Sequence, residues 1–263
     1  MNLLEKILAR KRREIAARRR AIPPREMERR AAHAPDPPDF VAALRARPVG
    51  LIAEIKRRSP SAGVIREPLD PAAIARAYAR GGAQAISVLL DAPFFGGSEE
   101  DFFIVKSSVS LPLLYKEFVV DSWQVAHARA IGASAVLLIV SALSPRMLGR
   151  LHAEIERVGL TPLIEVHDAD EMRRAADLGA RCIGINNRDL KTFETTLETT
   201  QRLAALAPRA CCLISESGIR TADDVARVRE AGAHAVLVGE SLLRQRHLAS
   251  AVRRLMGQAW ATS

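Results

Sequence analysis

LIAEIKRRSPSAG, residues 51–63, poses the question on which the choice between two architectures turns. Leu51, Ile52, Ala53 and Ile55 read as a buried β-strand, yet Glu54 and Lys56 break the run two positions apart. Residues two apart on a strand share a face, so both charges point where Ile52 points. Burying two charges is costly unless they are paired or used. The turn after this strand separates two architectures. An open, doubly wound sheet would continue from its first strand into a glycine-rich G-x-G-x-x-G loop. A Ser-Pro-Ser turn stands there instead, and no such fingerprint comes after it.

Downstream, short apolar runs alternate with amphipathic helical stretches. The runs are QAISVLL (84–90), LPLLYKEF (111–118), SAVLLIV (134–140), TPLIEV (161–166), RCIGIN (181–186), CCLISE (211–216) and HAVLVG (234–239). With the first strand they make eight strand–helix units. Several helices finish on glycine, as in ARGGA, RAIGA, DLGA and EAGA, a C-cap signature. Continuous apolar strands separated by helices imply a parallel sheet covered by helices. Eight such units in about 210 residues fit a closed (β/α)8 TIM barrel of the α/β class. A chain of 263 residues suits one such barrel as a single structural domain, over residues 51–263.

Residues 1–50 differ in character. LLEKILARKRREIAARRR (3–20) places Leu4, Ile7, Leu8 and Ile15 near helical spacing, giving an amphipathic helix with a basic outer face. The proline clusters IPPRE (22–26) and APDPPDF (34–40) break the remainder into short helical pieces. Much of the net charge of +9 sits in that first helix. Arginine-rich helices bind nucleic acid or membrane surfaces in some proteins. Here Glu5 and Glu14 interleave with the basic residues, and no aromatic ring offers a stacking platform. A docked helix with a solvated face is therefore expected, with neither nucleic acid nor membrane as partner.

The apolar share of 48% and the charged share of 26% are those of a globular protein. No apolar run reaches the length of about eighteen residues that a transmembrane helix needs. No secretory signal is expected, and the acidic residues in the first helix speak against a transit peptide. Cys182, Cys211 and Cys212 lack C-x-x-C spacing and read as small core residues in a reducing, cytoplasmic compartment. Neither they nor the six scattered histidines suggest a metal site. His167, the only histidine near a strand end, reads as a solvated or hydrogen-bonded side chain.

In a (β/α)8 barrel the active site lies at the C-terminal ends of the strands. There the chain gathers Glu54, Lys56 and Ser59 after strand one, and Lys116 and Glu117 after strand three. Glu165 closes strand five, Asn186 and Arg188 come after strand six, and Glu216, Ser217 and Gly218 after strand seven, with Gly239 after strand eight. Singly, each reads as a solvated residue at a strand exit. Together, three Glu and two Lys should share one mouth, satisfying one another around an anionic substrate. SESGI (215–219) and VGES (238–241) each put glycine where backbone must approach a ligand, as in the phosphate site of this fold. A phosphorylated small molecule is the ligand expected there, with Lys56 and Ser59 as extra contacts.

AEIKRRSPSAG, SVLLDAPFFGGS, LPLLYKEFVVD, LLIVSALS, PLIEVHD, IGINNRDL, SESGI and VLVGESLL occur in order along nearly the whole chain. This series resembles the indole-3-glycerol phosphate synthase family of tryptophan biosynthesis. The resemblance implies ring closure of 1-(2-carboxyphenylamino)-1-deoxyribulose 5-phosphate to indole-3-glycerol phosphate, with loss of CO2 and water. It also implies that the extra N-terminal helices lie across the barrel mouth and help bind substrate. Lys116 matches the general acid, and Glu165 matches the group that handles the proton in the later dehydration, a task suited to a carboxylate of raised pKa. Glu54 and Asn186 match orienting residues, and Lys56 matches the lysine that faces the substrate carboxylate and assists the dehydration. Arg188, Glu216 and Ser217 match substrate-binding positions; Ser59, Gly218 and Gly239 fall at the phosphate end. No metal or organic cofactor is implied, and a monomer or weak dimer is expected.

Three positions depart from the family pattern: Glu117 stands where Asp is common, Leu90 where Thr is common, and Glu240 where some members have Ser. A carboxylate at 240 would repel phosphate, so its backbone N–H is expected to make the contact with the side chain turned away. Two other readings stay open on the residues alone. One is another phosphate-binding barrel, such as a phosphoribosyl isomerase, which would use an Asp/Cys acid–base pair. The other is a basic nucleic-acid-binding protein, with affinity falling steeply in salt.

Overall fold

The computed structural model describes residues 2–189 and 192–260, the side chains of 258–260 excepted. Eight parallel strands close a barrel: β1 (Gly50–Ile55), β2 (Ala85–Leu89), β3 (Leu113–Lys116), β4 (Ala135–Ile139), β5 (Thr161–Val166), β6 (Cys182–Asn186), β7 (Cys212–Glu216) and β8 (Ala235–Val238). Each pairs with its neighbours in sequence, and β8 returns to β1 through Gly50–Ala235 and Ala53–Val238. All eight predicted strands are present. The Ser-Pro-Ser turn adds something the sequence reading lacked, a two-residue antiparallel ladder of Arg58–Ser59 with Gly63–Val64. Ser59 Oγ ties that turn by accepting the Ala62 N–H at 3.1 Å.

Alternation along the strands sorts the core into two layers. Leu51, Ala53 and Ile55 of β1, with Leu113 and Tyr115 of β3, face outward into the layer shared with the helices. Ile52, Ala85, Leu114, Leu163, Cys182, Cys212 and Ala235 face inward and fill the lower barrel. A short helix at Phe40–Arg45 closes that floor with Phe40 and Leu44, both fully buried. Higher on the same inward face stand Glu54, Ser87, Lys116, Glu165, Asn186 and Glu216, one step of the pleat above the apolar layer. Aspartates cap the helices that leave the barrel top: Asp70, Asp91, Asp121 and Asp168 each accept a backbone N–H from the first turn. Such caps contribute about 1 kcal/mol apiece.

The N-terminal region builds α1 (Leu3–Ala21) and α2 (Pro24–His33), the first opened by a capping box between Asn2 and Glu5. Ile15, Met27 and Ala31 pack on Trp123 and Ala126 of the helix that comes after β3. Trp123 Nε1 donates to the Ile22 carbonyl at 2.9 Å. The apolar stripe Ile7, Leu8 and Ile15 is buried as its spacing predicts. Lys11 is the departure, for its place on the expected basic face is in fact buried, with 1% of its surface exposed. Its Nζ lies 2.9 Å from Glu117 Oε2, 2.8 Å from Glu14 Oε2 and 3.3 Å from Asp91 Oδ2.

One ammonium cannot fully neutralise the two buried carboxylates Glu117 and Asp91 while it also pairs with the partly exposed Glu14. Burial opposes the charge on Lys11, but Glu117, Glu14 and Asp91 outweigh it and hold the ammonium above its usual range. The shortfall falls on Glu117, whose carboxyl burial pushes up to about 7 despite Lys11 and the Phe118 N–H. The folded chain thus keeps this proton well above the pH at which the unfolded chain releases it. The group's contribution to stability is complete below its unfolded value of 4.5 and is lost as pH rises through about 7. Glu117→Gln is expected to flatten this loss while leaving Lys11 its other partners. Urea midpoints measured from about pH 5 to about pH 8 should fall less steeply in the variant. An unchanged slope would place the titration elsewhere.

Candidate active site

Lys116, the last residue of β3, is the hub of the barrel mouth. Its Nζ donates to Glu216 Oε2 at 2.7 Å and to Glu165 Oε2 at 3.3 Å. Asn186 Nδ2 donates to the other Glu165 oxygen at 3.2 Å. Across the barrel Lys56 Nζ donates to Glu54 Oε1 at 2.5 Å, and Ser87 Oγ reaches Glu54 Oε2 at 3.5 Å. Tyr78 fixes the same strand end from outside by donating its hydroxyl to the Glu54 carbonyl. The two charges that interrupt β1 are therefore a pair, set into a network of three carboxylates and two ammoniums.

Charge within this network is unevenly held. Burial raises the cost of ionising Glu54, but Lys56 and Lys116 override it and keep the carboxyl below its usual range. Glu165 behaves alike: burial opposes ionisation, and Lys116, His167 and Asn186 outweigh it. Lys116 is buried too, yet Glu216, Glu165 and Glu54 hold its ammonium well above the usual lysine range. Glu216 is the exception, because burial and the repulsion of Glu165 and Glu54 exceed what Lys116 returns, and its carboxyl is pushed up to about 7. The raised pKa expected at Glu165 thus lies on Glu216. Three buried anions compete for Lys116, and the spare proton goes where repulsion is greatest.

Two glycines make room for these carboxylates. A Cβ at Gly184 of β6 would stand 2.0 Å from Glu216 Oε1, and one at Gly239 would stand 2.8 Å from Glu54 Oε1. Gly239, expected from the sequence as a phosphate contact, has in the packing of Glu54 a separate reason to lack a side chain. After β7 the chain turns through Ser217 and Gly218 with φ of +66° and +81°. That left-handed backbone is held by Asn187, whose Nδ2 donates to the Ser217 carbonyl at 3.0 Å and to Ser215 Oγ at 2.9 Å. Thr200 donates to Asn187 Oδ1 from both its N–H and its hydroxyl. Sequence reading overlooked Asn187. Its signal was the alternation itself, which turns the second Asn of GINN away from the barrel axis.

All the predicted site residues line one cavity of about 570 Å3: Glu54, Lys56, Ser59, Lys116, Glu165, Asn186, Arg188, Glu216, Ser217, Gly218 and Gly239. Arg188 spans its rim, donating to Thr195 Oγ1 at 3.2 Å and to Ser61 Oγ at 3.0 Å. Glu240 is paired with Arg244 at 3.0 Å. Much of the remaining lining is apolar and was not foreseen in the sequence. Leu3, Leu4 and Ile7 of α1 line the cavity together with Phe95, Phe118, Leu137, Ile139 and Leu237, with the two Phe rings 6.0 Å apart. Such a space suits a ligand with a flat apolar end and an anionic end. Glu117 points the other way, to Lys11. Among the described residues no group of three or more His, Cys, Asp and Glu could hold a metal ion, and no helix is long and apolar enough to cross a membrane.

Comparison with known structures supports the fold. The chain superposes on thiamine phosphate pyrophosphorylase from Pyrococcus furiosus with a TM-score of 0.60 at 16% identity, covering 82% of this chain and 97% of that one. N-acetylmannosamine-6-phosphate 2-epimerase from Clostridium perfringens gives a TM-score of 0.61 at 16% identity, covering 83% and 96%. Sequence comparison goes further. The indole-3-glycerol phosphate synthase family model matches residues 4–255. An indole-3-glycerol phosphate synthase of Roseiflexus sp. (strain RS-1) is 52% identical over 97% of this chain and 98% of its own length. One of Rhodopirellula baltica is 46% identical over 97% and 99%. A match from the first helix to the last, on a barrel whose mouth joins acid–base groups to an apolar wall, settles the family: the chain belongs to the indole-3-glycerol phosphate synthases.

Proposed function

We propose that this mouth carries out the family's decarboxylating ring closure on 1-(2-carboxyphenylamino)-1-deoxyribulose 5-phosphate, with Lys116 as the acid of the first step. The observation that carries the reading is the Lys116 ammonium, bridged to Glu165 and Glu216 inside a cavity with an apolar wall. The carboxyphenyl ring lies against Phe95, Phe118 and Leu237, and the phosphate lies toward Ser59, Gly218 and Gly239. The ring carbon bearing the carboxylate attacks the ketone carbon, and the ketone oxygen takes a proton from Lys116. A positioned ammonium in a water-poor site stabilises the developing alkoxide before the proton moves. Departure of CO2 leaves its electron pair to the ring, restoring aromaticity.

Dehydration completes the indole. The new hydroxyl leaves as water with a proton from an acid, and the adjacent methylene gives a proton to a base. Glu165, held ionised, is the base. Lys56 faces the substrate carboxylate in the first step and is the cation beside the departing hydroxyl in the second. Glu54 holds Lys56, Asn186 orients Glu165, and Glu216 aligns Lys116. Arg188 and Ser217 meet the polar chain of the sugar. The N-terminal residues 1–50 work with the barrel of 51–263 as one unit, since Leu3, Leu4 and Ile7 supply part of the cavity wall. Cys182, Cys211 and Cys212 are free and buried, which fits a reducing compartment such as the cytoplasm.

Product fluorescence with this substrate tests the reading. Lys116→Met should lower kcat by about 10²- to 10⁴-fold with little change in KM. Wild-type turnover in that variant would remove Lys116 from the chemistry, and no product from folded wild type would reject the substrate. Gly184→Ala probes the packing behind the hub. Its methyl cannot coexist with Glu216 where it stands, and displacement of about 1 Å in a catalytic array costs on the order of 10²-fold in rate. A fall of that size with an intact near-UV CD spectrum is expected; unchanged kcat would show that the position of Glu216 is immaterial.

A further inference from the structure

His167 lies one residue beyond β5 and is not among the residues lining the cavity. Its imidazole is nonetheless enclosed between two carboxylates. Glu171 Oε2 takes the His167 backbone N–H at 2.9 Å and stands 3.0 Å from Nδ1. On the other side Nε2 lies 3.3 Å from Glu165 Oε1, at ion-pair distance. Nε2 is buried and has no partner in hydrogen-bond geometry, so its nearest business is with that carboxylate. A ring whose Nδ1 donates to Glu171 would, if neutral, turn an Nε2 lone pair toward the Glu165 anion. Protonation replaces that repulsion with attraction on both sides.

We propose that His167, seated by Glu171, is a cationic positioning residue that holds the Glu165 carboxylate ionised and aimed at the cavity. The inference rests on the reading of Glu165 as the dehydration base. Glu165 Oε2 is turned to Lys116, while Oε1 is shared by Asn186 and His167. Without the imidazolium, Oε1 would keep only a neutral amide. The charged groups facing the ring are Glu165 from β5 and Glu171 from the helix Ala169–Asp177. Beyond Glu165 come Lys116 and Glu216. The neighbouring β4, β6 and the turn Val140–Ala142 carry no ionised side chain. Arg174, on the same helix as Glu171, is turned to the Leu143 carbonyl. Burial works against the cation, but the two carboxylates outweigh it and push its pKa up to about 10.

A purely structural role is the competing explanation, because Glu171 also ties the start of its helix through the His167 N–H. Two measurements separate them. Nitrogen-15 NMR of the imidazoles, with the His167 signals identified by their loss in His167→Gln, should show both ring nitrogens protonated at about pH 8.5, where an ordinary histidine of pKa about 6.5 is neutral. Ordinary titration of His167 overturns the proposal, whatever the enzyme's activity. The second measurement uses Glu171→Gln, which keeps an acceptor for the backbone N–H and removes the charge. Both variants should lose about tenfold or more in kcat with KM little changed. Glu165, freed of the cation, should then rise in pKa, so the acid limb of the kcat profile moves to higher pH. An acid limb that stays put in both folded variants refutes the clamp while leaving the ring-closure reading standing.

Discussion

Everything at the barrel mouth depends on one ammonium serving more carboxylates than it can neutralise. Lys116 is contacted by Glu165 and Glu216 and feels Glu54 across the barrel. In water three carboxylates near one lysine would be unremarkable. Inside a barrel they force an uneven distribution of protons, with two groups ionised and one carrying the excess. The strand register puts these groups on one level, for Glu54 stands opposite Ser87 and Asn186 opposite Glu216. Glycine at 184 and 239 keeps the space between the strands open for them. The site is thus organised around a deficit of positive charge at the hub, while Lys56 and Arg188 bring two further cations to the lining of the same cavity.

A second deficit lies one residue further along the chain. Lys116 and Glu117 are neighbours on opposite faces, so the first belongs to the barrel interior and the second to the seam with α1. Lys11 holds Glu117, Glu14 and Asp91 with 2% of its side chain exposed. Buried ion clusters contribute little net stability beside a well-packed apolar substitute, yet they are costly to break from one side. Their value here is register. An α1 turned by one residue would bring the bulkier Arg10 or Arg12 against two carboxylates in place of Lys11 and draw Leu3, Leu4 and Ile7 away from the cavity.

The barrel and most of its polar mouth were legible because strand alternation is a local rule. Glu54 and Lys56 share a face with Ile52 whatever else the protein does, and Lys116 and Glu165 obey the same arithmetic. The burial of Lys11 was not legible, since its partner Glu117 is 106 residues away and apolar periodicity gives no account of a lysine. Protonation was not legible either. Whether Glu165 or Glu216 keeps a proton depends on a sum of distances that no spacing encodes. His167 is an instructive middle case. It stands two residues after Glu165, the same spacing that marked Glu54 and Lys56, and one residue past its strand as Lys56 is, but a lone histidine reads as a solvated or hydrogen-bonded side chain and was not matched to that carboxylate. The apolar wall needed the N-terminal helix to be seen in place, for Leu3 and Leu4 look like ordinary staples of an amphipathic helix.

The join between α1 and the end of β3 also bears on the order of assembly. The first helix leaves the ribosome before any strand, with a buried lysine that has no carboxylate from the barrel to meet. Asp91 and Glu117 must both emerge, and β2 and β3 must pair, before Lys11 can leave water without penalty. A segment made ahead of every strand is therefore one that docks late, and the apolar lining of the mouth is completed only after the strands beneath it are set.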